Sequence, residues 1–383
     1  MDTSKKIVIT GLGAVGPLGH DLATLAANLG RSPDETGHGQ RRTLDTGSEL
    51  WRMTGLDADR VVSRRLQRKL DPFTVHGMVA ADMALRDSGL DAQGVPAERV
   101  GIYVGNCLGG WAYTQPELQA LHTRGVAGMG PYVATAWFPA ALQGQISLAH
   151  GFKGHSKTLS ARDVAGLQAI GQAGSAILQG RADVVLCGAS EDLSSPYMQA
   201  MLQRYRHAHG PDAAVFGGLK PSVFADGAAF LVLEEAGHAR RRGAKVLCEL
   251  TGVADGFCGG PGDAPEVMAQ ALRTAEGVHA GERLLALDGL QHGEAELVRQ
   301  AALRAGMAAL VPVDVRGALG NQFAVSGVTE VVLAAHALSQ GGLSAQSLAG
   351  VQAAAGGAGR YAGALIQRLS PQGHVSVVGL AAA

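Results

Sequence analysis

Cys107 and Ser160 are the side chains whose type suits attack on a carbonyl, and His155 and His150 are the bases closest to Ser160 along the chain. A thiol or hydroxyl beside an imidazole is the arrangement of acyl transfer, in which the base takes the nucleophile's proton. No spacing joins these residues into one constellation, and an isolated histidine is more often structural. A second candidate is Gly11-Leu12-Gly13-Ala14-Val15-Gly16, a G-x-G-x-x-G run between a short apolar segment and a helical one. Dinucleotide binding also needs a second strand ending in Asp or Glu about 20 residues on. That region, Gly30–Gly39, is polar, and Asp34 and Glu35 follow no apolar run. The glycines therefore read as a tight strand-to-helix turn. The four cysteines, Cys107, Cys187, Cys248 and Cys258, form no CxxC pair and lie near no histidine cluster. They imply neither a metal site nor a disulfide frame. Cys187 and Cys248 sit in apolar runs as small buried hydrophobes.

The elements that must carry any site alternate between strand and helix. Lys6–Thr10, Val100–Val104, Asp183–Cys187 and Ala228–Glu235 read as strands. Asp21–Leu29, Phe73–Ser88 and the small-residue run Val164–Gln179 read as helices. The pattern restarts with strands at Lys245–Val253, Leu284–Leu287, Ala362–Arg368 and His374–Leu380. Helices between them fall at Glu266–Glu276, Glu294–Gly306 and Thr329–Ser339. Such alternation predicts an α/β chain with mostly parallel, buried sheets. The basic stretch His238–Gly243 is the expected join between halves.

Several stretches resemble the β-ketoacyl synthases, enzymes of the thiolase fold. They are Lys6–Leu18 (KIVITGLGAVGPL), Asp71–Leu90, Val100–Gly110 (VGIYVGNCLGG), Val164–Glu191 with its ADVVLCGASE ending, Asp226–Lys245 (DGAAFLVLEEAGHARRRGAK) and Gly320–Leu338. The resemblance covers nearly the whole chain. It implies a thiolase-like fold of two similar halves, residues 1–240 and 241–383, layered α/β/α/β/α. The first half would hold the nucleophile position and the dimer interface.

Chemistry in that family needs a cysteine thiolate at a helix N-terminus, two histidines and a lysine. Counting from Gly166, Gly171 and Gly180 puts Asp163 at the nucleophile position. Asp288 falls at the first histidine, Asn321 at the second and Arg316 at the lysine. The gating aromatic loop becomes Gly356–Arg360 and has lost its phenylalanines. A carboxylate is a poor acceptor from a thioester, because the anhydride formed is less stable than the thioester. All four changes together remove nucleophile, base and orienter. Asp163 is expected to cap its helix, worth about 0.5–2 kcal/mol, and Asp163 or Asp288 to pair with Arg316.

The resemblance therefore implies a chain-length factor, the inert half of a heterodimeric ketosynthase in a type II polyketide system. The expected partners are an active ketosynthase subunit, an acyl carrier protein and the acyl chain in the shared tunnel. Loss of every catalytic residue in a short chain is most similar to the partner subunit of polyene-making systems, such as the aryl polyene pigments. Leu108 and Trp111, just past the pocket-floor glycines, are expected to line the tunnel; ordinary core packing is the plain alternative. Tyr132, Trp137 and Phe138 fall in the family's dimer-crossing segment. Two other functions stay open: an active synthase or acyltransferase using Cys107 or Ser160, and a homodimeric scaffold. No cofactor is implied.

Bulk properties agree with that class. The 383 residues carry 32 Lys+Arg against 33 Asp+Glu, so no basic excess points to nucleic acid or an anionic membrane. The Arg60–Arg68 stretch reads as a solvated face. Met1–Lys6 lacks the apolar core of a signal peptide, so a cytoplasmic protein is expected. Glycine, at 55 residues, is about twice the usual ~7 %, which predicts many close backbone approaches.

Overall fold

The computed structural model describes residues 5–44, 47–90, 94–208, 223–260, 262–276, 284–287, 294–307, 310–313, 315–341, 343–344, 360–370 and 372–383. Side chains are described for these except 203–208, 284–287, 294–295, 311–312, 316, 343–344 and 360. Ten strands form the main sheet. In chain order they are β1 (Ile7–Val15), β2 (Val100–Gly105), β3 (Ser156–Leu159), β4 (Val184–Glu191), β5 (Gly227–Glu235), β6 (Cys248–Phe257), β7 (Leu284–Leu287), β8 (Val311–Val313), β9 (Gly363–Leu369) and β10 (His374–Ala381). The principal helices are α1 (Pro72–Asp87), α2 (Trp111–Arg124), α3 (Ala141–His150), α4 (Ala165–Leu178), α5 (Pro196–Ala208), α6 (Ala264–Glu276), α7 (Glu294–Arg304) and α8 (Ala324–Ser339).

The strand order is β8-β7-β9-β10-β6-β1-β5-β4-β2-β3. Pairing is parallel among the three strands at each end and antiparallel across the middle. The middle cannot be parallel throughout, because β9 and β10 are joined by a turn too short for a crossover. Near-continuous burial of β1, β2, β4 and β5 shows that the sheet is covered on both faces. Helix α1 packs on the outer face of β1, β5 and β4, and α6 on that of β6 and β10. Helices α4 and α8 lie inside, each touching strands of both sheet halves. The layers thus alternate α/β/α/β/α in a thiolase-like fold. Among the described residues no helix is long and apolar enough to cross a membrane.

The glycine-rich motif is strand rather than turn. Strand β1 continues to Val15 with a bulge between Ile9 and Gly11. The reason is close packing: a Cβ on Gly11 would lie 2.2 Å from the Ala84 carbonyl oxygen, and one on Gly13 would lie 2.2 Å from that of Ala80. The glycines let α1 settle onto the sheet and cradle no phosphate.

Glycine also sets the central crossing. A Cβ on Gly166 of α4 would sit 2.1 Å from the Ala324 carbonyl oxygen at the start of α8. One on Gly105, at the end of β2, would meet Ala165 at 2.6 Å. The start of α4 is therefore wedged between β2 and the start of α8. Gly166→Ala is expected to destabilise the chain by about 1–3 kcal/mol in denaturant titration, since backbone rather than a yielding side chain blocks the methyl. A loss within error would mean that the two helices can part freely.

Candidate degenerate active site

Asp163 lies in one 3-10 turn, Arg162–Val164, that leads into α4, and its side chain is buried. Arg162 has φ 54°, a left-handed conformation that non-glycine residues rarely adopt. The expected helix cap is not formed. The turn moves Val164 into the N-cap position, and no side chain accepts from the first amides. Asp163 Oδ2 is instead buried with no hydrogen-bond partner among the described residues.

The start of α8 has a matching construction. Phe323 stands at φ 52°, ψ −121° immediately before the helix. Asn321 is tied into the backbone: its N–H donates to Val223 O (2.6 Å), its carbonyl accepts from Ala225 N (2.9 Å), and its Oδ1 accepts from Phe323 N (2.9 Å). The neighbouring Gln322 is buried and holds Asp226 O (2.9 Å) and the Thr329 hydroxyl (2.9 Å). Two helix starts, each behind a strained residue, thus meet at the Gly166–Ala324 contact, three residues past Asp163 and Asn321 respectively. Asp288, the Arg316 side chain and 356–359 lie outside the described residues, and with them the expected Arg316 ion pair.

A second acid, which the pattern of the sequence did not single out, belongs to this region. Glu191 ends β4 and is fully buried. It accepts from the Cys107 amide, the Leu108 amide (3.1 Å) and Asn106 Nδ2 (3.3 Å). Burial pushes its pKa up to about 8, the two amides pull it down, and the charges of Asp163 and Asp192 push it up again. The signal available in the sequence was an apolar strand, VVLCGASE, that closes on a carboxylate.

Burial, then Glu191 and Asp163, push the Cys107 thiol well above its ordinary pKa. A thiol held neutral by burial is not a nucleophile. Ser160 is exposed. His155 Nδ1 is hydrogen-bonded to the Tyr103 hydroxyl at 2.7 Å, and His150 stacks on Phe152. No hydrogen bond among the described residues joins either histidine to Cys107 or Ser160.

Leu108 packs against an apolar cluster of Leu44, Leu50, Leu193, Leu202 and Phe323, and Phe323 stacks flat on Phe224 at 5.8 Å. Trp111 opens α2, half-buried, with its indole 4.4 Å from the ring of Tyr197. Tyr132, Trp137 and Phe138 are 38 %, 49 % and 51 % exposed, unusual for side chains of that size. Lys69 stands over the Tyr132 ring at 4.5 Å. The Arg60–Arg68 stretch is solvated as expected, with Arg64 on Asp59 at 2.7 Å.

The model of the β-ketoacyl synthase N-terminal domain matches residues 4–239. The chain belongs to the β-ketoacyl synthase family. It is 31 % identical over 291 residues to the tetracenomycin polyketide synthase ketoacyl synthase beta subunit of Streptomyces glaucescens, covering 72 % of this chain and 70 % of that one. It is 28 % identical over 261 residues to 3-oxoacyl-[acyl-carrier-protein] synthase 2 of Vibrio cholerae, covering 65 % of this chain and 63 % of the relative. The alignment thus spans less than two thirds of that relative, and likewise 64 % of a polyketide β-ketoacyl synthase of Streptomyces cyaneus. Among solved structures it superposes with a TM-score of 0.83 and 39 % identity on a chain of AntDE:AntF, a type II polyketide acyl-carrier protein in complex with its ketosynthase bound to the hexaketide; 99 % of this chain and 100 % of that chain are covered.

Proposed function

We propose that this ketosynthase-fold chain does no condensation itself and serves as the chain-length-setting half of a heterodimeric type II ketosynthase. The observation that supports the reading is Asp163: the residue that counting assigns to the family's thiolate position is a buried aspartate, and the nearby thiol of Cys107 is held neutral. Arg316 and Asn321 at two further family positions support it, as does the similarity to a ketosynthase beta subunit.

In this reading the open edge of β3 and the exposed Tyr132, Trp137 and Phe138 meet an active ketosynthase. Leu108 and Trp111 then face the acyl chain that the partner extends, and the acyl carrier protein delivers malonyl units to the pair. The half up to residue 240 supplies this surface, and the half from 241 braces it through α8. The product class is a polyene chain, on the resemblance to polyene-system subunits. Trp111, whose indole has few rotamers, is the stop.

Co-expression with candidate ketosynthases of the same genome, size exclusion and elongation with malonyl-loaded carrier protein test this reading. The expected result is a 1:1 complex in which the partner makes full-length chains only when this subunit is present. Consumption of malonyl units by the purified chain alone would overturn it. So would a stable homodimer that ignores every ketosynthase offered.

A further inference from the structure

The starts of α2 and α5 are locked together by two contacts. The Trp111 indole lies 4.4 Å from the Tyr197 ring at an interplanar angle of 31°. One turn along α2, Gln115 Oε1 accepts from two groups at the start of α5, the Ser195 hydroxyl (2.7 Å) and the Tyr197 amide (2.8 Å). Trp111 and Gln115 are four residues apart and share a helix face. Pro116 follows and has no N–H to give to the carbonyl of Ala112, so the first turn of α2 lacks a rung to the rest of its helix. Gly110 ahead of it offers no side-chain cap. The turn carrying Trp111 is therefore held from outside its own helix, by α5 and by the buried Asp71, whose Oδ2 accepts from the Tyr113 amide (2.8 Å). Tyr197 is itself 42 % exposed, and Met201, one turn on, is 44 % exposed, so the described neighbours leave the outer side of this pair open.

We propose that Tyr197 is a positioning residue for Trp111. Its ring backs the indole and restricts it to the rotamer that ends the growing chain, and Gln115 fixes where the Tyr197 ring stands. The occupant on the open side is the apolar tip of the partner's acyl chain. The inference rests on the reading of Trp111 as the stop.

The test uses the reconstituted heterodimer with malonyl-loaded carrier protein, and product lengths are read by mass spectrometry. Tyr197→Ala is expected to raise the share of over-length products about tenfold, the upper range for loss of one aromatic pair, and to match Trp111→Ala. The double variant should add nothing further, since the two residues act as one unit. Tyr197→Phe keeps the ring and should restore the parental lengths. Gln115→Ala should give an intermediate shift. Structural damage alone lowers the yield of complex or the rate of malonyl consumption and leaves product length unmoved. Parental lengths from Tyr197→Ala beside longer ones from Trp111→Ala would overturn the positioning role and leave the stop standing. Parental lengths from Trp111→Ala would remove both. Should Tyr197→Ala fail to assemble, Tyr197→Leu, which fills volume without a ring, is read by the same outcomes.

Discussion

Arg242→Ala is expected to destabilise the chain by about 3–5 kcal/mol, the loss seen when one partner of a buried ion pair is removed. Glu234 on β5 is fully buried. It accepts from the Thr10 hydroxyl of β1 (2.6 Å), His238 Nδ1 (2.8 Å) and Arg242 Nε (2.8 Å). Arg242 also donates to the Ser88 carbonyl at the end of α1 (2.9 Å). One guanidinium thus ties two central strands to the helix that covers them. Without it, Glu234 keeps its charge with only a hydroxyl and an imidazole for company. The uncompensated charge, more than the lost contact, makes the effect large. Replacing both ends, Glu234→Gln with Arg242→Met, should therefore be milder than Arg242→Ala alone. Equilibrium unfolding in guanidinium distinguishes these results. A loss under about 1 kcal/mol for Arg242→Ala would place the pair among surface salt bridges in strength.

The second large effect is a fall in stability as pH rises from about 5 to about 8. Burial raises Asp71 to about 7 and Asp226 to about 8, and it raises Glu191 to about 8. A carboxyl raised in the folded state keeps its proton where the unfolded chain has lost it. Its contribution is full below the unfolded pKa and is lost as pH rises through the folded one. Glu234 acts in the opposite sense: burial works to raise it, but Arg242, Thr10 and His238 together hold it below 4.5. Its contribution is present above the unfolded value and is lost as pH falls through the folded one. His20, His76, His150 and His336, lowered by burial, work against the three acids in this window. The acids carry the large shifts, so the stability optimum should lie in mildly acidic solution and melting temperatures should drop from pH 5 to pH 8. Asp163→Asn removes one of the charges that raise Glu191 and should make the drop shallower. A melting temperature that is flat or rising over that range would contradict the account.

The strands were legible because burial on both faces leaves plain apolar runs, as in AAFLVLEE and VVLCGASE. Asp163 was assigned by counting from three glycines, of which Gly166 and Gly171 are required by packing and Gly180 by the left-handed turn that follows α4. Helix α2 was missed: Pro116 interrupts it and glycines precede it, both of which read as loop. The first turn of α8 escaped because Phe323 reaches it through a strained φ that no residue pattern announces. Glu191 beneath Cys107, Gln322 against Asp226 and Tyr197 against Trp111 are partners distant along the chain, and a single sequence carries no sign of such pairings. The glycine motif misled for a related reason. Its spacing suits a phosphate turn and a helix resting on a strand equally well, and only the nearness of Ala80 and Ala84 distinguishes the two.

Strand β3 ends the sheet with no described strand paired on its outer side, and Lys157 is the exposed charge set on it. Trp137 and Phe138 are bare as well. An uncovered edge and bare aromatics are what drive chains to coalesce at random, and one lysine is a slight guard against that. Synthesis of this chain in excess of whatever covers β3 would therefore feed inclusion bodies and proteolysis. On the heterodimeric reading proposed above, the cell's problem becomes one of stoichiometry, best met when both proteins are translated in step.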